Sequence, residues 1–541
     1  MQRTYAAEPV WDHVIIGAGS AGCAMAARLS EAGRRVLVLE AGGSDDARWI
    51  RIPLGVGKLL HDPRFSWQFE TEPEPGAKSR RMFWPRGKTL GGSSSINGML
   101  WVRGDPARFD EWESAGCPGW NWHNFEPLFR RIEDYPNGDK EIRGRGGPVT
   151  IQDITDRDGV TEAFIQACVA SGIPANPDYN GTRHEGVGWL QSSTRRGERC
   201  STAVAYLRPA LGRGNLKVET DAYVTRILFE GTRAAGVEYR RDGQVKTAAV
   251  GSDVILSAGA IKSPHILELS GIGDAGRLRS LGVPVIADLP GVGENLSDHY
   301  HVRVTYRAAN MVTINDLVRR PWLHGPRGWL EYQLRGTGIF AFVSATAHAL
   351  ARTVEDAPYP DTKLQLHKIS SGDRTNELGV DSYSGASIGF FQLYPESRGS
   401  VHAASPDPSA PPRIVANYLA EAADRAAVLR AIRLARRIGS QPMLRPYFTQ
   451  EMRPGPDVSD DEALLDYARE TGQTSYHPVG TCRMGRDAYA VVDAECRVRG
   501  VDGLRVADAS IMPFIVSSNT NAPSIAIGER ASEIMLSRAN A

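Results

Sequence analysis

A glycine-rich turn between two apolar strands limits this chain more than any other feature. Asp12-His13-Val14-Ile15-Ile16 has the composition of a strand buried on both faces. It runs into Gly17-Ala18-Gly19-Ser20-Ala21-Gly22, a G-x-G-x-x-G, and then into a small-residue helix from Cys23 to Leu29. A second strand, Arg35-Val36-Leu37-Val38-Leu39, ends on Glu40. Gly17 permits the tight turn, Gly19 lets the backbone approach a pyrophosphate, and Gly22 lets the helix lie close on the sheet. The phosphates then sit at the positive end of the helix. Glu40 can accept hydrogen bonds from a ribose diol and disfavours a 2′-phosphate, so the nucleotide is FAD or NAD rather than NADP. The βαβ unit by itself does not choose between these two.

The rest of the composition narrows the class. At 541 residues the chain is too long for one core and implies several domain-sized units. Lys and Arg number 63, as do Asp and Glu, and a chain without net positive charge is a poor partner for nucleic acid. Six scattered cysteines without a C-x-x-C pair point to reduced thiols, with neither a disulfide framework nor a metal site. No apolar run approaches the roughly 18 residues needed to span a bilayer. The first strand begins near residue 12 with no basic leader before it, so the expected location is cytoplasmic, with at most peripheral contact with the inner face of the membrane.

Further along, Gly87-Lys88-Thr89-Leu90-Gly91-Gly92-Ser93-Ser94-Ser95-Ile96-Asn97-Gly98 reads as a loop whose amides and hydroxyls line a polar ligand, anchored by Trp84 and Trp101. A hairpin is expected over Tyr223–Tyr239, with its turn at Gly231. Asp253 to Gly259 is another buried strand, followed by a helix entered through Ser263-Pro264. A last strand of this kind is Gly503 to Asp508. Nucleotide-type strands at both ends of the chain imply a domain assembled from separate segments, with the region from about 300 to 470 inserted. That insert has an aromatic, basic stretch from Arg319 to Phe342, an amphipathic helix from Glu421 to Gly439, and a capping box at Ser459-Asp460-Asp461-Glu462. Near the end, His477 precedes Pro478 and so projects from an extended turn. Ser517-Ser518-Asn519-Thr520-Asn521-Ala522-Pro523 opens the final helix. By residue type alone, His477 is a candidate base and the asparagine a helix cap.

These separated motifs together resemble the glucose–methanol–choline (GMC) oxidoreductases, particularly their choline-dehydrogenase-like and alkanol-dehydrogenase-like bacterial members. The resemblance rests on 87–101, on Gly259-Ala260-Ile261-Lys262-Ser263-Pro264 through Gly273, on Pro395-Glu396-Ser397-Arg398-Gly399, and on the His477 and Asn521 segments. It implies an α/β fold (α+β overall): a discontinuous Rossmann-like FAD-binding domain from 1–155, 201–300 and 475–541. A substrate domain from 156–200 and 301–474, built on an antiparallel sheet flanked by helices, would be inserted in it.

The resemblance also implies FAD as cofactor and makes His477 and Asn521 the expected catalytic pair. The cofactor contacts it implies are Gly17, Gly19, Ser20, Gly22 and Glu40 on the ADP half, Val224 at the adenine, and Gly92, Ser95, Asn97 and Gly98 along the flavin. Asp508, Ala509 and Thr520 close the set. Ile96 stands where some relatives carry a histidine bonded to the flavin, so the FAD is expected to be non-covalent. The expected reaction oxidises a primary aliphatic or aryl alcohol to an aldehyde. Electrons pass to a quinone or other carrier; oxygen is the alternative acceptor, and non-redox hydroxynitrile lysis a remote one.

Overall fold

The computed structural model describes residues 10–154, 157–372 and 379–538. Its first sheet grows from the predicted βαβ unit. Strand β1 (Trp11–Ile16), helix α1 (Ser20–Glu31) and strand β2 (Val36–Leu39) follow one another as read from the sequence. Four more strands join them: β3 (Leu216–Glu219), β4 (Tyr223–Glu230), β5 (Arg233–Arg241) and β6 (Gln244–Leu256). The order is β3-β2-β1-β6-β5-β4, and a short strand, Leu504–Val506, pairs with β6 as well. The strand expected at Asp253 thus starts at Gln244. Its first half closes a hairpin with β5, and its second half runs parallel to β1 and to Leu504–Val506. Only its last three residues, Val254–Leu256, are continuously apolar and buried, where the strand lies between β1 and Leu504–Val506.

Helix α2 (Gly259–Leu269) follows β6 and begins earlier than the Ser263-Pro264 entry the sequence suggests. Pro264 therefore lies inside the helix, where it has no N–H for the Ala260 carbonyl. The Thr481 hydroxyl donates to that carbonyl instead, at 2.6 Å. The vacancy left by the proline ties α2 to the segment carrying His477.

A second, antiparallel sheet is made of β7 (Tyr300–Ala308), β8 (Ala347–Ala351), β9 (Thr362–His367), β10 (Gly385–Gln392) and β11 (Phe448–Arg453). Its order is β11-β7-β10-β9-β8, ending on Gly186–Trp189, and Gln473–Thr474 pairs with the start of β7. Between β7 and β8 the aromatic, basic stretch forms helices α3 (Ile314–Arg319) and α4 (Pro321–Arg335). Helix α5 (Ala422–Gly439) packs its Val428, Ile432 and Ala435 face on the sheet, as its periodicity predicts. Helix α6 (Asp461–Thr471) is capped by Asp460, whose side chain accepts from Ala463 N. The expected Ser459 capping box is therefore not the device used. The last helix, Asn521–Arg538, starts three residues before Ser524, with Pro523 tolerated in its first turn. All six cysteines are buried and unpaired. No helix among the described residues is long and apolar enough to cross a membrane.

Candidate active site

One cavity of about 780 Å³ runs from the G-x-G-x-x-G turn to the face of the second sheet. At its nucleotide end the backbone is packed to the limit. A side chain on Gly22 would collide with the Gly17 carbonyl, and one on Gly92 would meet Gly19 Cα. Helix α1 starts on Gly19 with no side-chain cap, so its first amides are left for a ligand. Ser20 Oγ donates to Asn521 Oδ1 at 2.7 Å, which brings the start of the C-terminal helix to the same point. Two positive helix ends meeting on one cavity wall suit a pyrophosphate. Glu40 spends one oxygen on Ala18 N and the other on Gly42 N, both at 2.8 Å, and burial raises its pKa to about 7. Its carboxylate still lines the cavity, with lone pairs left for hydroxyl donors. These features fit the ADP half of FAD.

Gly17, Gly19, Ser20, Glu40, Gly92, Asn97, Gly98, Val224, Asp508, Ala509 and Thr520 all line this cavity. Two expected contacts do not. Gly22 serves the helix packing assigned to it. Ser95 is fully buried within its loop, where its hydroxyl donates to Leu90 O at 2.6 Å, and its neighbour Ser93 lines the cavity instead. The loop makes a single 3-10 turn, Gly92–Ser95, and its serine hydroxyls are largely spent on its own backbone. Arg199, which the sequence did not single out, pins it by donating to Ile50 O, Ser94 O, Asn97 O and Asn97 Oδ1. Ile96 is buried at this turn.

At the other end, His477 leaves an extended turn as Pro478 requires. Tyr476 takes a left-handed conformation (φ 66°), and its carbonyl accepts two hydrogen bonds from Arg86. The His477 amide donates to Asp298 Oδ1 at 2.7 Å. Thr474 and Tyr418 hydroxyls hold the other Asp298 oxygen.

The side-chain contacts fix the tautomer. The Leu393 carbonyl only accepts, so His299 Nε2, 2.9 Å away, carries a hydrogen. Neutral His299 then has its lone pair on Nδ1, and His477 Nδ1, at 2.9 Å, is the donor. The lone pair of His477 is left on Nε2, where Asn519 Nδ2 donates at 3.0 Å. Phe391 stacks on His299 and meets His477 edge-on, so both rings are held.

The asparagine beside His477 is therefore Asn519, whereas the sequence reading chose Asn521. Asn521 opens the last helix and turns to Ser20 at the nucleotide end. Nothing in the spacing separates the two asparagines. What separates them is Lys363 on β9, which meets Asn519 from a remote part of the chain. His299, Asp298 and Lys363 were missed for the same reason, since each acts through a contact between distant segments.

Burial is the main cause that holds His477 well below the ordinary imidazole pKa, reinforced by His299, Lys363 and Arg86. His299 falls to about 4, again chiefly through burial. His477 is thus neutral at physiological pH, with its one lone pair on Nε2 at the cavity wall, shared with the Asn519 amide.

A dinucleotide cradle and a neutral proton acceptor at opposite ends of one cavity define a class, the oxidoreductases that act beside a bound dinucleotide. The chain belongs to the GMC oxidoreductase family: its N-terminal model matches residues 11–301 and its C-terminal model residues 395–528. It is 39% identical to the mitochondrial choline dehydrogenase of Mus musculus, over 96% of this chain and 89% of that protein. It is 38% identical to the alcohol dehydrogenase [acceptor] of Pseudomonas putida, over 97% of this chain and 96% of that one. Among solved structures, pyridoxine 4-oxidase from Mesorbium loti superposes with a TM-score of 0.87 at 31% identity, covering 97% of this chain and 98% of that chain. The chain is therefore an FAD-dependent oxidoreductase, with the mixed α/β fold the motifs implied.

Proposed function

We propose that the chain oxidises an uncharged primary alcohol, aliphatic or aryl, to its aldehyde, with electrons leaving to a quinone or other carrier. The observation that carries this reading is the set of contacts leaving a neutral His477 with its Nε2 lone pair beside the Asn519 amide. A substrate hydroxyl takes the place of the Asn519 N–H at Nε2 and gives up its proton there. Asn519 has a second N–H for the oxygen as negative charge develops on it, a contribution that reaches about 3 kcal/mol in comparable sites. Asp298 and Arg86 keep the His477 turn in place, and Phe391 keeps the ring from rotating. Bound FAD supplies the hydride acceptor for the carbinol carbon. Ser20 and Asn521 serve the pyrophosphate, and the division into 1–155, 201–300, 475–541 and 156–200, 301–474 follows which sheet each segment supplies. Ile96 supports non-covalent FAD, because it has no nucleophilic atom.

Charge supports an uncharged substrate over choline. Among the described residues the carboxylates lining the cavity are Glu40 and Asp508, both committed to backbone amides at the nucleotide end. Lys58, Arg86, Lys262 and Arg303 line it as well, an unfavourable field for a quaternary ammonium. The acceptor side draws support from α4. Trp322, Leu323, Leu330 and Leu334 are exposed along its outer face, among the exposed Arg319, Arg320, Arg327 and Arg335. That composition suits contact with an anionic membrane surface. Val318 and Pro321 reach the cavity from the same helices.

Anaerobic mixing with a panel of alcohols that includes choline, followed by admission of air, tests the reading. Flavin bleaching by an uncharged alcohol with slow recovery in air is the expected result. Bleaching by choline alone would overturn the substrate, and prompt recovery would make oxygen the acceptor. His477→Ala should retain FAD and lose most of its reduction rate. A variant reducing at the wild-type rate would remove His477 as the base.

A further inference from the structure

Lys363 is fully buried on β9, yet no carboxylate among the described residues pairs with it. Its ammonium donates to Asn519 Oδ1 at 2.6 Å and to Ser518 Oγ at 2.9 Å, and it lies 5.8 Å from the centre of the Phe391 ring. Burying a cation without a counter-ion is costly, and a chain carries that cost without benefit only if nothing better fits the position. A neutral side chain of similar length would pack as well. The position opposite Lys363 across the sheet is Phe391, the ring that holds His299 and His477. The lysine thus sits directly behind the groups that meet the substrate oxygen.

An ammonium has only donors, so it decides which way round the Asn519 amide lies. The amide oxygen must face Lys363, and both N–H groups must face away. One reaches His477 Nε2, and the other is left for the cavity. Without the lysine the Ser518 hydroxyl, 3.1 Å from Asn519 Oδ1, would remain, but it can accept as readily as donate. The amide could then rotate and present its oxygen to His477 Nε2, two acceptors facing each other, with no donor for the substrate oxygen.

We propose that Lys363 is the positioning residue of this site, orienting the Asn519 amide as an oxyanion donor and backing it with a positive charge. This rests on the reading of His477 and Asn519 given above. The titratable groups around the ammonium are His477, His299, His348, His184 and His367, all held below the ordinary imidazole pKa by burial, so none changes charge near neutrality. Lys363 itself is brought down to about 7 by burial, which places its own loss of charge in an accessible range.

The test is a double-mutant cycle on the FAD-loaded enzyme with Lys363→Met, Asn519→Ala and the double variant. Two quantities are measured: the rate of flavin reduction by the best alcohol, and the affinity for the matching carboxylate, read from the flavin spectrum. Lys363→Met should slow reduction by roughly 10- to 100-fold, within the range of losing an oxyanion donor, and weaken carboxylate binding, with FAD retained. The double variant should be no worse than Asn519→Ala alone, because the lysine acts through the asparagine. In the parent enzyme carboxylate affinity should fall as pH rises through about 7, and in Lys363→Met it should stay level there.

Reduction at the parent rate in Lys363→Met would overturn the proposal, as would a double variant slowed by the product of the two single effects. Should Lys363→Met lose its FAD, Lys363→Gln, which keeps a donor but no charge, takes its place. Reduction near the parent rate with level carboxylate binding would then support the orienting role, and a pH dependence like the parent's would refute the role of the charge. If His477→Ala reduces flavin at full rate, the underlying reading fails, whatever Lys363 does.

Discussion

Two asparagines two residues apart have different partners, and that difference gives the sharpest expectation at the scale of single residues. Asn519 faces His477, and Asn521 faces Ser20. Asn519→Ala should cut the rate of flavin reduction by roughly 100-fold and leave FAD binding near its parent value. Asn521→Ala should do the reverse, weakening FAD by about 1 kcal/mol, the worth of one hydrogen bond, as measured by flavin release on dilution. If both variants lose rate and keep cofactor equally, the assignment of the two asparagines is wrong. The nucleotide turn was legible in the sequence because its residues act on their immediate neighbours: Gly17, Gly19 and Glu40 are all close to the strands they serve. The pair at the other end was legible only by residue type. Which asparagine serves His477 depends on Lys363, and which nitrogen carries the lone pair depends on Leu393 through His299, all contributed by other segments.

At the scale of elements, helix α2 shows how a break in one segment becomes a link to another. The carbonyl freed by Pro264 is taken by Thr481, four residues beyond His477. Thr481→Val should leave that buried carbonyl unsatisfied and cost about 1–3 kcal/mol, read as a lowered denaturant midpoint. An unchanged midpoint would mean the bond contributes nothing net. Helix α4 gives a second element-scale expectation. The enzyme should sediment with vesicles containing anionic lipid and less with neutral ones, and Trp322→Glu with Leu330→Glu should abolish it. Absence of sedimentation would refute the membrane contact, and a concentration-dependent dimer lost in the same variant would assign the face to a second copy. The basic, aromatic character of this stretch was readable from residue types. That its apolar residues point outward was not, since the same pattern usually describes a buried face.

For the whole molecule, buried histidines couple folding to pH. His299 and His367 fall to about 4 and His265 to about 3, in each case chiefly through burial. Below about 6.5 the unfolded chain binds protons at these rings while the folded chain does not. Stability is therefore lost as pH falls from about 6.5 toward 4, by about 1.4 kcal/mol per pH unit for each ring that stays neutral. Thermal unfolding of the holoenzyme should show its midpoint falling steadily over that window, and a level midpoint would contradict the neutral assignment. That the first sheet is assembled from both ends of the chain was legible from strands that recur there, while the second, antiparallel sheet came only with the family resemblance. The 13-residue reach of β6 was not, because half of it is an exposed hairpin edge that alternates weakly.

The row of rings behind His477 stops at the Leu393 carbonyl, an atom that holds a hydrogen bond but does not carry a proton onward. For protons the site is a cul-de-sac. On the proposed mechanism, a proton taken up at His477 Nε2 can spread to His299 and, among the described residues, no further, so it leaves by the route it entered, through the cavity. If the chain makes an aldehyde as proposed, its departure and the clearing of that proton share one doorway, and each turnover must empty it before the next alcohol can donate.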